Sequence, residues 1–347
     1  MQVTKYPSTS QFRNVIRAIH DRLTYDGRDE NGNIKRKVVS PDQYLIPYVG
    51  TVKIHGTNCR VVFNSEDEVV YQSKERALSL EEDHYGFMTF MVEKDHKLLL
   101  KQVKQLCEER NTEFKFPVEI AGEFAGKGIN KGAAVSEIMP FFTIFRISVG
   151  KENDHRNWLA LDDILGVGLP EQRIYNILTF GKWELDIPFN IPETVQSKIA
   201  QITEGVEKEC PVGKYFGVSG VGEGVVWTPK DRHLAHVSAL WFKVKGQKHS
   251  VSKVKTLAAV DPVKLQSIKD FVEYAVTENR LRQGLQEIGL DIASLGAFIA
   301  WVNRDINKEE ADVLEANSLS MKDVAKFTTN TARSWYMEQL NEVSRWL

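Results

Sequence analysis

The stretch Thr51-Val52-Lys53-Ile54-His55-Gly56-Thr57-Asn58, running into Cys59-Arg60-Val61-Val62-Phe63, constrains the fold more than any other part of the chain. An apolar-alternating run delivers a lysine to a glycine-containing turn, and a second strand carries the chain away. A half-buried hairpin has little use for a lysine unless its amine is needed there. A buried or cation-flanked lysine has a depressed pKa and becomes a nucleophile. A lysine at an exposed strand end is simply solvated, and the octet alone leaves both readings open. The Gly-Thr-Asn after it supplies a tight turn and small polar groups able to bond a ribose.

Ahead of this pair, Phe12, Val15, Ile16 and Ile19 repeat at helical spacing, with Ser10 in the N-cap position. Beyond it, Val69 to Ser73 reads as a strand ending in the basic turn Lys74-Glu75-Arg76, and a single helix is expected from Asp83 to Glu109. The acidic cluster Glu81-Glu82-Asp83 suits a helix N-terminus better than a metal. Phe116 to Ala121 is a strand leading into Gly122-Glu123-Phe124-Ala125-Gly126-Lys127-Gly128. That stretch is not a P-loop, because its glycines are too closely spaced and Gly128 stands where Ser or Thr is required. Pro140 to Ile147 is another strand; residues 155–215 are less decodable, with a helix from Val195 to Val206.

Two more strands follow, Gly222 to Trp227 and Ala239 to Gly246, with Glu223 at the entrance of the first. Lys243 and Lys245 lie two apart on the second and share a face. That face is either solvent or the wall of an anion site. After about residue 252 the pattern turns helical. Asp261-Pro262 opens a helix carrying Ile268, Phe271, Val272 and Ala275. Asp291, Leu295, Phe298, Ile299 and Val302 mark a second, and Ser320 to Asp323 has the form of a capping box before a terminal helix. The expectation is an α+β chain, with antiparallel sheets and flanking helices over 1–250 and a small all-α domain over 251–347.

Composition narrows the class. The chain has 347 residues, 42% hydrophobic and 27% charged, as expected of an ordinary globular protein of about two domains. Forty-five basic and 47 acidic residues give a net charge of −2, so affinity for polyanions must come from local patches. Three cysteines without CxxC spacing argue against a disulfide framework and a zinc ribbon. With no secretory pattern and no bilayer-length apolar run, a cytoplasmic setting without a membrane is expected. His233 and His236 have the spacing of a zinc pair but no third ligand cluster. Cys59 reads as a packed small hydrophobe.

Lys53, Glu123, Glu223, Lys243 and Lys245 make chemical sense around one anionic nucleotide, with lysines neutralising phosphates and carboxylates serving ribose and metal. In this order they resemble the motif series of the covalent nucleotidyltransferase superfamily of ATP-dependent ligases and capping enzymes, whose catalytic domain is ATP-grasp-like. Lys53-Ile54-His55-Gly56-Thr57-Asn58 is similar to the nucleophile motif of RNA ligases, with His55 where DNA ligases and capping enzymes more often have Asp. The family resembled most is the bacteriophage RNA ligase 2 type, which seals RNA nicks, and the resemblance spans essentially the whole chain.

What the resemblance implies is specific. Lys53 forms the lysyl-adenylate, and Asn58 holds phosphate geometry. Arg76, with Lys74 as the alternative, grips ribose or a 5′-phosphate, while Glu123 binds ribose. Phe142 stacks on adenine, Glu223 organises Mg²⁺ (or Mn²⁺), and Lys243 and Lys245 contact the α-phosphate of ATP. RNA, as a nicked duplex or broken ends, is the implied partner of a monomeric enzyme, bound largely without sequence preference. The run Lys243, Lys245, Lys248, His249, Lys253, Lys255 either tracks its backbone or is a solvated linker. Two positions depart from the family: Val52 where a polar residue is common, and Arg146 where Asp is usual. The rival readings are a DNA ligase or capping guanylyltransferase, and a non-catalytic RNA-binding protein on a degenerate ligase scaffold.

Overall fold

The computed structural model describes residues 5–152, 155–246, 268–317 and 319–344. Its first part is built from strands β1 (Ser10–Gln11), β2 (Tyr25–Arg28), β3 (Ile34–Arg36), β4 (Leu45–Lys53), β5 (Thr57–Phe63), β6 (Val69–Ser73), β7 (Val118–Ala125), β8 (Phe141–Glu152), β9 (His155–Trp158), β10 (Ile174–Asn176), β11 (Trp183–Pro188), β12 (Gly224–Pro229) and β13 (Phe242–Lys245). Helices α1 (Phe12–Thr24), α2 (Phe87–Met91), α3 (His96–Glu109), α4 (Glu193–Lys208), α5 (Pro211–Tyr215) and α6 (Arg232–Ala235) flank them. The remainder is helical: α7 (Ile268–Ala275), α8 (Glu278–Ile288), α9 (Leu295–Glu309), α10 (Ala311–Ala316) and α11 (Met321–Ser344). Among the described residues no single helix is long and apolar enough to cross a membrane.

Two sheets carry the architecture. One has the order β1-β13-β12-β4-β11; the other runs β10-β8-β7-β5-β6, with β9 added to β8. Pairing is antiparallel except for β1 with β13 and β10 with β8. The chain passes from the first sheet to the second through the turn between β4 and β5, so the lysine-bearing octet joins the sheets. Each sheet buries an apolar face. Val52, Val225 and Val244 are buried on the first, where Phe12 lies 4.7 Å from Phe242 between ring centroids. Val61, Ile120 and Phe124 are buried on the second with Phe87, Leu99 and Val103 of the flanking helices. The α+β class with antiparallel sheets, flanking helices and a helical C-terminal region is the architecture observed.

Several local expectations change. Ser10 does not cap α1, because its backbone is committed to pairing with Phe242 in the β1–β13 ladder, and Gln11 stands at the cap without a side-chain bond. The helix expected over 83–109 is split in two. Gly86 stands at the cap of the short first piece, where Asp83 accepts from the backbone of Met88 and Thr89, and Asp95 starts the second by accepting from Leu98. Residues 155–215 hold an unforeseen strand, β11, on the edge beside β4. Asp323 accepts from both the backbone and the hydroxyl of Ser320, the expected cap of α11. The Asp261-Pro262 helix start, Lys248, His249, Lys253 and Lys255 fall outside the described residues.

The helical region has its own apolar cluster, including Phe271, Phe298, Val302, Ile306 and Tyr336. It meets α1 through a buried ionic hub. Glu310 accepts from Arg13 and Arg280 at 2.8 Å each and from the Tyr274 hydroxyl at 2.9 Å, while Arg13 also reaches Asp312. Arg280 and Glu310 are fully buried, and a charge network this dry holds only when every member is paired.

Candidate active site

The site grows from register. Lys53, at the end of β4, is the Cα partner of Gly224, which on its other side partners Lys245. The two lysines therefore share a face with only a glycine between them. A Cβ at Gly224 would sit 2.1 Å from the Val244 carbonyl oxygen, so no side chain fits there. One row on, Thr51, Val226, Lys243 and Gln11 are aligned across four strands. On the second sheet, Asn58, Glu123 and Thr143 form a row, and Arg60, Ala121 and Arg146 the next. The polar faces confront one another, for Lys53 and Glu223 lie close enough to Glu123 for both to shift its protonation.

Glu223 is the centre. Its Oε2 is 2.7 Å from Lys53 Nζ, its Oε1 is 3.0 Å from Lys245 Nζ, and His55 Nδ1 stands 3.5 Å away. Burial alone would raise its carboxyl pKa, but Lys53, Lys245 and His55 hold it well below the usual range. Glu123 has burial on its side and the Glu223 charge beside it, and is pushed up to about 7 against the pull of Lys53 and the Gly56 backbone. Burial likewise lowers Lys245, with Lys53 and Lys243 adding repulsion against Glu223. Lys53 moves the other way. Its burial is outweighed by Glu223 and Glu123, and its pKa is raised. The expectation of a depressed nucleophile thus does not describe the protein without nucleotide, in which Lys53 is an ammonium held by two carboxylates.

Three contacts brace the turn that presents Lys53. Asn130 donates to the Gly56 carbonyl at 2.7 Å, His55 Nε2 lies 3.1 Å from the Lys131 carbonyl, and His84 Nε2 is 2.7 Å from the Thr57 hydroxyl. The glycine-rich stretch that failed as a P-loop is a support for this turn. A Cβ on Gly56 would come within 2.4 Å of the Phe124 carbonyl, which fixes glycine at that position. Asn58 Oδ1, Thr143 Oγ1 and an Arg146 Nη1 are buried without a protein partner on the faces surrounding Glu123. Such orphaned groups suit a polar ligand between the sheets.

Lys53, Asn58, Glu123, Glu223, Lys243 and Lys245 are brought together; two expected residues are not. Phe142 is fully buried on the opposite face of β8, its ring 5.1 Å from that of Phe87 and stacked over Gly122, whose Cβ would strike it. No face of that ring is open to a base. Phe142 pairs with Phe124 on the core side, and a bulge follows it: Ile144 pairs with Gly122 and Arg146 with Ala121, leaving Phe145 as the extra residue. Phe145 is only half-buried and packs on Tyr6, 5.8 Å between centroids. Arg76 turns away to donate to the carbonyls of Glu82 and Asp83. Lys74 instead sits among Lys243, Lys308 and Glu287, and its amine is lowered by burial and by the two lysines.

Residues that sequence reasoning passed over include His84, Asn130, Phe145 and Glu309, whose carboxylate oxygen is 3.4 Å from Lys243 Nζ. None has a local pattern that distinguishes it. The bulge could have been suspected from the adjacent apolar pair Ile144-Phe145, which breaks the alternation of β8, and β11 from the alternation of Trp183, Leu185 and Ile187 with Glu184 and Asp186.

Comparison with known proteins sets this geometry in a family. No curated protein matches the chain. Solved structures of Naegleria gruberi RNA ligase are similar: a mutant with ATP and Mn at 12% identity and TM-score 0.39, over 71% of this chain and 56% of that one. A second mutant with ATP and Mn gives 14% and 0.40 over the same shares, and one with AMP and Mn gives 13% and 0.39 over 70% and 56%. The chain thus spans little more than half the length of that ligase. The family description "RNA ligase" matches residues 46–245, more than half of the chain and nearly all of the span from β4 to β13 that builds the Glu223 cluster. The protein belongs to the RNA ligase family.

Proposed function

We propose that the protein is an ATP-dependent RNA ligase of the bacteriophage RNA ligase 2 type, joining a 3′-hydroxyl to a 5′-phosphate through a lysyl-AMP intermediate. The observation that carries this is the placement of Lys53 and Lys245 on the two oxygens of Glu223, with Glu123 opposite. In the first step the Lys53 amine, having lost its proton, bonds to the α-phosphorus of ATP as the bond to the bridging oxygen breaks and pyrophosphate leaves. AMP then passes to the RNA 5′-phosphate, freeing Lys53. The 3′-hydroxyl finally displaces AMP. Lys243 and Lys245, on one face of β13, bind phosphate oxygens, and positioning with charge neutralisation supplies most of the acceleration. Glu123 faces the ribose. Phe145, not Phe142, is the ring of β8 available to a base, with Lys74 rather than Arg76 as the cation of the basic turn.

A divalent ion fits sparingly. Among the described residues no group of three or more His, Cys, Asp or Glu could cage one. One or two carboxylates suit Mg²⁺, which keeps waters and leans on substrate phosphates, and Glu223 with Glu123 would hold it. When bound, such an ion neutralises the carboxylate that keeps Lys53 charged and the charge on the transferring phosphorus.

The test is incubation with labelled ATP or GTP and Mg²⁺, followed by denaturing electrophoresis. An acid-labile protein–AMP adduct that disappears in Lys53→Ala is expected. Labelling by GTP alone would move the reading to capping, and no adduct with either nucleotide would refute it. Sealing of nicked RNA duplex is expected to exceed sealing of nicked DNA.

A further inference from the structure

The helical region places a carboxylate among cations of the cleft. Glu309 ends α9, where the helix dipole disfavours an acid, so its stability there depends on its partners. Its Oε1 lies 3.4 Å from Lys243 Nζ and 3.8 Å from Lys308 Nζ, and its Oε2 accepts from Gln11 Nε2 at 3.0 Å. Gln11 and Lys243 are cross-strand partners in the β1–β13 ladder, so the cradle is built on the sheet that carries Lys53. Lys308 is also anchored by the Ser8 hydroxyl at 2.9 Å. Burial would raise the Glu309 carboxyl, yet Lys243, Gln11, Lys308 and Lys245 hold it at about 2. Lys74 lies close enough to Lys243 and Lys308 for both to lower its amine.

Lysines of β13 and α9 around one acid form the surroundings of a phosphate rather than of a surface ion pair. The contacts are loose beside the 2.7 Å bond of Lys53 to Glu223, and the Lys243 and Lys308 side chains keep 21% and 48% of their exposure. A phosphate offers more charge and more oxygens than the carboxylate now there. We infer that Glu309 is an internal stand-in for a substrate phosphate, in an anion site formed by Gln11, Lys243 and Lys308, and that a phosphate-bearing ligand binds there by displacing it. This rests on the ligase reading for its two sources of phosphate, the polyphosphate tail of the nucleotide and the 5′-phosphate of the RNA.

The test uses the full-length protein carrying Glu309→Gln. One arm measures KM for ATP in adduct formation. The other measures KM for a 5′-phosphorylated nicked duplex with pre-adenylylated protein. The expected result is a KM about three- to tenfold lower in one arm, as when one partly buried ion pair ceases to compete, and the arm identifies the source. Lys308→Ala is expected to raise KM in that arm. Asp312→Asn loosens the same seam through Arg13, which also donates to the Glu309 carbonyl at 2.6 Å, but removes no partner of the Glu309 carboxylate, and is expected to leave KM unchanged. Should Glu309→Gln fail to fold, Glu309→Asp, which withdraws the carboxylate, takes its place. Calorimetric titration with inorganic pyrophosphate reads the site without catalysis, and tighter binding by the variant is expected. Unchanged KM in both arms with unchanged pyrophosphate affinity, or weakening matched by Asp312→Asn, would overturn the inference. Tighter pyrophosphate binding in a protein that forms no adduct would overturn the ligase reading and leave the anion site standing.

Discussion

Lys53 and Lys245 grip opposite oxygens of a single carboxylate, Glu223, at 2.7 and 3.0 Å. Each lysine is set by its own strand, and Gly224 lies between them in the ladder. The acid is therefore the common point of three strands, and its removal should be felt in both stability and chemistry.

Replacing Glu223 by Gln leaves two half-buried lysines side by side without their anion. Loss of one partner of a buried pair costs about 3–5 kcal/mol. A lower melting temperature is expected, together with a fall in adduct formation of about a hundredfold or more, the scale of losing one preorganised electrostatic group. Circular dichroism melts and labelled-ATP electrophoresis measure the two effects separately.

Glu123 sets a pH dependence. Its folded pKa of about 7 stands above the ordinary 4.5, so the folded protein binds this proton more tightly than the unfolded chain. That contribution is full below about pH 4.5 and is lost as pH rises through 7. Glu123→Gln has no such proton. Its melting temperature should gain on that of the wild type between pH 5 and pH 8, and a constant difference across that interval would contradict the assignment.

The two phenylalanines of β8 should separate cleanly. Phe142→Ala empties a core position and is expected to cost about 3–5 kcal/mol of stability. Phe145→Ala removes a half-buried ring, so its stability cost should be smaller. KM for ATP should rise about tenfold, as for loss of base stacking. Equal effects on KM from both substitutions would refute the division between core and cleft.

The Arg13–Glu310–Arg280 hub should behave as one unit. Glu310→Ala removes the carboxylate shared by two buried guanidinium groups, leaving Arg13 only the carboxylate of Asp312 and Arg280 only that of Asp305, and is expected to cost about 3–5 kcal/mol. Urea denaturation should show the loss, and protease should cut sooner around α1 and α9. Because the hub is dry, the difference from wild type should change little between low and high salt.

Much of this site was legible in the sequence because its residues obey strand alternation. Lys243 and Lys245 share a face by spacing alone, and Lys53 and Glu223 each stand at the end of a strand. Phe142 came from resemblance alone, which does not see that its pairing with Phe124 turns it to the core, and the extra residue at Phe145 exchanges the faces beyond it. Arg76 and Lys74 differ only in where a turn sends them, which local sequence does not determine. Glu309 was invisible for a different reason. It acts on Lys243 across 66 residues, through the docking of a helix whose own pattern reveals only its buried side.

The Lys53–Glu223 contact joins positions 170 residues apart, and the second cation on that acid comes from β13. A nascent chain that has folded only its opening hairpin therefore presents Lys53 as an ordinary solvated amine. The machinery that could give it chemical purpose arrives from the ribosome much later. On the ligase reading, reactivity is a late acquisition of the growing polypeptide, withheld until the strand bearing Lys243 and Lys245 is seated.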